Sequence, residues 1–397
     1  MQKLIEKFHK KLERTDISFI RDVSSNIRWN NRLIGIQGAR GAGKTTLMLQ
    51  YIKTHFKEVS HILYVSLDDI YFSANSLSDM ADTFIKEGGT YLFLDEVHHY
   101  KNWSQEIKNI YDDHPDVKVV FTGSSALHIS KSKADLSRRA IMYDLPGLSY
   151  REFLELKYGL SFPVLKLQDI LNDHVNLSRI VVSKVKPLAK FKEYIQYGYY
   201  PYFTEDLETY QQRLEETIYL TLETDLPYTA EISFTSVEKL KKLLYVLAES
   251  SPFKPNITKL SDKTGIPRNS VILFLHYLED ARIINMLHAS TKGISFMQKP
   301  EKIYLHHPNL HYALNPENTN IGSMREIFFY NQTMNTQKVT YTDKGDFKLD
   351  GKFIFEIGGK NKTNKQIAGI INSYIVSDDI ETGYKNQIPL WLFGFLY

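Results

Sequence analysis

Residues 32–50, RLIGIQGARGAGKTTLMLQ, decide the fold. Leu33, Ile34 and Ile36 open the stretch as a buried strand, and Leu47, Met48, Tyr51 and Ile52 close it with helical spacing. Between them lies Gly38-Ala39-Arg40-Gly41-Ala42-Gly43-Lys44-Thr45. Strand, glycine-rich loop and helix form the context that turns a G-x-x-x-x-G-K-[ST] match into a phosphate-binding loop. Gly38, Gly41 and Gly43 let successive main-chain N–H groups face one point. With the N-terminus of the following helix, where Thr46 lies, these amides form an anion nest. Lys44 adds a point charge at the β- and γ-phosphates, and the Thr45 hydroxyl is a ligand for Mg2+. ATP and Mg2+ are the expected cofactors, with residues 38–46 as the nucleotide contacts.

Working outward, Tyr91-Leu92-Phe93-Leu94-Asp95-Glu96 is a hydrophobic strand tipped by two acids. Such a strand delivers its acids at the carboxyl edge of a parallel sheet, where the phosphates lie. Asp95 is then a partner of Mg2+, and Glu96 a general base for an attacking water. His98 and His99 follow at once. As sequence neighbours they are expected to point apart in a surface loop and make a poor metal pair. A third buried strand, Val117 to Ser125, ends in hydroxyls, and Ser124 is placed to reach the γ-phosphate or the water. Arg138 and Arg139 precede a further strand, Ala140 to Leu145; an arginine there stabilises charge on a transferring phosphoryl group, in its own subunit or in a neighbour's.

Composition sets outer bounds. The chain has 397 residues, 49 basic against 46 acidic, and a formal net charge of +3, which neither demands nor excludes nucleic acid. It has no cysteine, so disulfides, thiolate zinc sites and cysteine nucleophiles are excluded. No apolar run is long enough to span a membrane and the first residues lack an apolar signal core, so a cytoplasmic protein is expected.

The segments GARGAGKTT, YLFLDE, VVFTGSSA and LSRRAIMYDLPGLSYREF together resemble an AAA-type P-loop ATPase of a prokaryotic group (AAA_14-like) that carries a C-terminal DUF4143-like region. The resemblance implies that Lys44 and Thr45 belong to the first nucleotide motif and Asp95 and Glu96 to the second. It puts Ser124 at the sensor position and Arg139 at the group's arginine. It also implies a parallel sheet with the phosphate-loop strand in its interior, flanked by the strands of the sensor and the arginine.

The remainder divides into a helical connector, residues 156–235, and two further segments. Residues 236–310 read as a winged helix: Val237 to Ser250, Ile257 to Lys263 and Arg268 to Ala281 as helices, then two strands. Val271, Phe274, Leu275 and Leu278 form the buried stripe of the last helix. DNA is the partner this implies, through Arg268 and Asn269 at the helix start, with Glu279 and Asp280 at its end opposing it. Residues 311–397 resemble the restriction-endonuclease-like fold, with Glu326, Asp346 and Glu356 at the acid positions. The lysine position holds Gly358, and Lys360 lies two residues on. Loss of that lysine points to a degenerate, non-cutting site. The whole is expected to be α/β: a P-loop parallel sheet flanked by helices, residues 1–155, followed by a helical and winged-helix part and a small nuclease-like α/β part. Its function reads as Mg2+-dependent ATP hydrolysis. The rivals are a slow nucleotide-operated switch controlling a partner, and an ATP-regulated DNA nuclease; a homo-oligomer is compatible with each.

Overall fold

A computed structural model describes residues 1–397 apart from 125–135, 137, 228–231, 250–251, 253, 290–298 and 318–319. The chain forms two compact units. One is Met1–Gly147 with Leu220–Phe234; the other is Leu148–Tyr219 with Thr235–Tyr397.

The first unit is built on β1 (Leu33–Gly38), β2 (Ile62–Ser66), β3 (Tyr91–Asp95), β4 (Lys118–Ser124) and β5 (Ile141–Asp144). They form one parallel sheet in the order β2-β3-β4-β1-β5. The phosphate-loop strand is interior, between the strand that ends at Ser124 and the one that follows Arg139, as expected. Helices Lys44–His55, Leu77–Lys86 and Trp103–Asp113 connect the strands. Helices cover both faces, so these strands are apolar without a break instead of alternating. The pleat still sorts them. Leu33, Leu63, Val65, Leu92, Leu94, Val119 and Phe121 pack on Leu77, Met80, Trp103 and Ile107. Ile34, Ile36, Tyr64, Phe93 and Val120 pack on Leu47, Met48, Ile52 and Phe8 of the helix Gln2–Arg14. Each of these side chains contributes roughly 1.5–3 kcal/mol on burial.

All five strands run the same way, so their carboxyl ends share one edge. Gly38 is level with Ser124, and Ser66 with Asp95. The loop after β1 is closed from the other side by the chain leaving β5: Leu145 N–H donates to the Gln37 carbonyl at 2.7 Å. A Cβ on Gly38 would stand 2.4 Å from the Leu145 carbonyl oxygen. Backbone cannot swing aside as a side chain can. Gly38→Ala is therefore expected to cost about 1–3 kcal/mol, read as a lowered midpoint in urea unfolding.

In the second unit Ser149 and Glu152 form a reciprocal capping box that starts the helix Tyr150–Tyr158. The helices Leu167–Val182 and Pro187–Tyr197 follow. Further on, Phe234–Glu249, Ile257–Thr264 and Arg268–Asp280 lie within three residues of their expected bounds. Gly265, at φ 69°, turns the chain between the last two. Val271, Phe274, Leu275 and Leu278 are buried, as the helical stripe predicts. β6 (Ile284–Leu287) and β7 (Lys302–Leu305) pair antiparallel. Beyond them the helix Ile321–Met334 packs on a mixed sheet. That sheet contains β8 (Val339–Thr340), β9 (Phe347–Leu349), β10 (Phe353–Gly358), β11 (Ser373–Ser377) and β12 (Gln387–Pro389), in the order β12-β11-β10-β9-β8. Phe329 packs against Phe347, Phe355 and Phe393 in its core. No helix among the described residues is long and apolar enough to cross a membrane.

Candidate functional site

The carboxyl edge of the first sheet collects the expected residues. Gly41 and Gly43 take φ of 81° and 94°, conformations that a side chain would strain. Gly43 caps the helix Lys44–His55 with no side-chain hydrogen bond. Helices leave their first N–H groups without internal partners, so this end suits an anion. Lys44 is buried and donates to the carbonyls of Gly38 and Ala39 at 3.1 and 3.2 Å, folding over its own loop. Ala39 and Ala42 are buried, while Gly41 and Thr46 are exposed.

Thr45 Oγ1 donates to Asp95 Oδ2 at 2.6 Å, across 50 positions of sequence. This contact joins the two motifs. Asp95 is 2% exposed and accepts two further hydrogen bonds, from Tyr64 Oη at 2.7 Å and from Thr122 Oγ1. Burial and the neighbouring Asp95 push the Tyr64 phenol far up, so it stays a donor. Neither partner was expected. Tyr64 reads as core and Thr122 as part of a hydroxyl-rich strand end; a lone threonine between Phe121 and Gly123 in a buried strand was the available signal.

Glu96 sits at φ 51°, in the left-handed region, and its N–H donates to Thr122 Oγ1 at 3.1 Å. A non-glycine residue held there stores strain, which is commonest where geometry matters to function. The turn Val97–His99 that follows overturns the surface-loop expectation for the histidines. His98 is 4% exposed, and the His98 and His99 rings lie 4.2 Å apart between centroids. One tight turn of 3-10 helix brings neighbouring side chains together where a loop would splay them. Ser124 N–H donates to His98 Nδ1 at 3.3 Å, so the end of β4 touches this turn directly.

Another partner is supplied by the segment Leu220–Phe234. Thr221–Asp225 is wound as a π-helical turn, a form frequent at functional sites. Asp225 is fully buried and pairs with Arg40 of the phosphate loop at 2.8 Å. Burial works to raise its carboxyl, but His98, Arg40 and His99 outweigh it and hold Asp225 below the usual carboxylate range. No sequence pattern pointed to Asp225. Asp225→Ala leaves Arg40 without this carboxylate beside a buried hole. An expected loss of about 3 kcal/mol should appear in the chemical unfolding midpoint.

Arg139 lies away from the other expected residues. It makes a two-pronged pair with Asp112, both contacts 2.9 Å. It precedes β5, whose start marks the amino edge of a parallel sheet, the edge opposite the phosphate loop. Arg139 therefore does not reach the loop of its own chain.

The acids of the second unit each have a described partner. Glu326 accepts from Tyr304 Oη at 2.7 Å, and Lys302 stands 3.2 Å from Glu326 and 3.5 Å from Asp346. Asp346 accepts from the Ile357 N–H at 2.9 Å. Glu356 pairs with Lys362, while Lys360 is exposed. The glycine at 358 has a reason: a Cβ there would lie 2.6 Å from Lys362 Cγ, so the Lys362 stem occupies the space of the missing lysine. Burial raises the carboxyls of Glu326 and Glu356. Among the described residues, Glu96, His98 and His99 form a trio whose donor atoms all lie within 4.8 Å; Glu326, Asp346 and Glu356 do not. Lys302 thus stands beside two of the acids and Lys362 beside the third.

Residues 30–154 match the AAA domain family (AAA_14), which supports an AAA-type ATPase-like core in the first unit. Residues 188–321 match a domain of unknown function, DUF8612, where a DUF4143-like region was expected. Two proteins of Methanocaldococcus jannaschii are similar over most of the chain. The uncharacterized protein MJ1637 is 26% identical across 92% of this chain and 84% of its own length. The uncharacterized protein MJ1544 is 23% identical across 86% and 76%. Among solved structures, AMPPCP-bound DnaA from Aquifex aeolicus superposes with a TM-score of 0.25 at 14% identity, over 65% of this chain and 85% of that one. A DNA polymerase III gamma subunit-related protein from Thermotoga maritima gives 0.25 at 10% identity, over 70% and 100%.

Proposed function

We propose that the first unit binds ATP with Mg2+ and hydrolyses it. The observation that carries this reading is the 2.6 Å contact between Thr45 and Asp95. Two hard oxygens at the mouth of an amide nest, one of them a buried carboxylate, are the donor chemistry Mg2+ takes. Thr45 and Asp95 would hold the ion, and bound Mg2+ would neutralise charge on the phosphate oxygens. Lys44 leaves its own loop carbonyls for the phosphates. Glu96 accepts the proton of the attacking water, and Ser124, level with Gly38, would reach the γ-phosphate or that water. Arg139 acts on the nucleotide of a neighbouring copy, which makes a homo-oligomer part of the proposal. The setting is the cytoplasm.

The second unit is proposed as the part that hydrolysis serves. Its helix-turn-helix and strand pair are read as a winged helix that contacts DNA. Arg268 and Asn269 are exposed at the start of the presumed recognition helix. Glu279 is less of an obstacle than its charge suggests: it accepts from the Met286 N–H at 2.8 Å, and burial pushes its carboxyl up to about 7. The acids Glu326, Asp346 and Glu356 are read as a degenerate, non-cutting site, since lysines fill it.

Phosphate release measured with Mg2+, with chelator, and with added DNA tests the proposal. Release that requires Mg2+ is the expected result, and a DNA-dependent rise supports the winged-helix assignment. Supercoiled plasmid incubated with the protein and Mn2+ should stay intact; nicking lost in Asp346→Ala would restore the nuclease reading.

A further inference from the structure

His98 is the buried group that the hydrolytic scheme leaves without a task. Its Nε2 lies 3.5 Å from Glu96 Oε2 and 3.5 Å from Asp225 Oδ1, and closes a hydrogen bond to neither. Its other nitrogen accepts the N–H of Ser124. A nitrogen that accepts holds its lone pair, so the hydrogen of the neutral ring sits on Nε2, facing both carboxylates. The main chain of Glu96 is held at Thr122 and at the His99 N–H, while its side chain is 23% exposed. Asp225 Oδ1, the oxygen that faces His98, also accepts from Arg40 at 2.8 Å.

The geometry points to His98 as a positioning residue for Glu96, set by Asp225: the His98 Nε2–H is shared between the two carboxylates, and the share given to Glu96 aims it at the attacking water. With Nε2 equally distant from both, a small turn of the ring selects one acceptor over the other. The segment 220–234 thereby has a hold on the base, through Asp225, and the phosphate loop has one through Arg40. The inference deepens the hydrolytic reading and rests on it.

Four donor atoms this close also suggest a zinc cage of Glu96, His98, His99 and Asp225. His99 Nε2 stands 4.0 and 3.9 Å from the two carboxylates. The Ser124 N–H argues against it. A metal needs the lone pair of Nε2, which would move the ring hydrogen to Nδ1, against a donor already aimed there.

The test has an activity arm and a spectroscopic arm, both on the full chain. In nitrogen-15 NMR of the imidazoles the neutral His98 ring should carry its hydrogen on Nε2; a hydrogen on Nδ1 overturns the inference, as does cobalt absorption in the visible on adding Co2+. In steady-state hydrolysis His98→Ala should lower kcat about tenfold or more at unchanged KM and unchanged ATP-analogue affinity. His98→Gln, which keeps an N–H donor, should recover most of it. Asp225→Asn should shift kcat by about threefold or more, again without moving KM. A kcat within twofold of wild type in His98→Ala, or a glutamine no better than alanine, sinks the inference while leaving hydrolysis intact. A wild-type protein with no hydrolysis removes both, and the nitrogen-15 spectrum tells that case from a wrong tautomer.

Discussion

Lys44→Ala is expected to raise the dissociation constant for ATP at least about 100-fold, a loss of about 2.7 kcal/mol. The size follows from what the lysine is. Hydrogen bonds from an ammonium to phosphate oxygens are among the stronger kind, and here they form in a buried setting where water screens them little. Lys44 is 5% exposed, so its removal also leaves a hole and frees the carbonyls of Gly38 and Ala39. Fluorescence titration with an ATP analogue reads the affinity, and far-ultraviolet circular dichroism guards against a folding defect. Affinity within fivefold of wild type in a folded variant would remove the phosphate-loop assignment.

Glu96→Gln is expected to keep that affinity within a few-fold and to lower kcat by about 100- to 10,000-fold. Glutamine matches the glutamate in length and volume and tolerates the same main-chain turn about equally. What it loses is the ability to take a proton. The Thr122–Glu96 main-chain bond and the Thr45–Asp95 pair stay in place. A switch that turns over rarely would lose little by this change and would keep its output; a hydrolase would stall with nucleotide bound. Single-turnover phosphate release separates the two. Equal rates in variant and wild type would take the general-base role from Glu96.

The two predictions rest on residues that could be read from the chain because local pattern encodes them. A glycine loop between an apolar run and a helical stripe, and an apolar run ending in two acids, each fix their geometry within about ten residues. Sheet order followed from the resemblance and not from spacing. What stayed hidden depends on contacts far apart in sequence. Nothing near residue 225 marks an aspartate that meets Arg40, and nothing near residue 64 marks a tyrosine that meets Asp95. Arg139 was left with two alternatives, its own subunit or a neighbour's, and a local rule narrows them: a residue just before a parallel strand lies at the edge opposite the loops. The histidine pair misled because two neighbours diverge in a strand or open loop, whereas the turn Val97–His99 draws them together. The lysine of the second unit was sought along β10, but the cation came from Lys362, after the strand had ended.

Residues 220–234 belong to the first unit although the chain reaches them only after passing through the second. A gene fragment ending at codon 147 would encode the phosphate loop, the strand acids and the sensor, yet omit Asp225. Such a truncate would look complete by motif and lack the counter-ion of Arg40. The first unit is thus not a portable cassette: recombination that grafted a new C-terminal half onto it would have to carry this short stretch along or evolve a replacement.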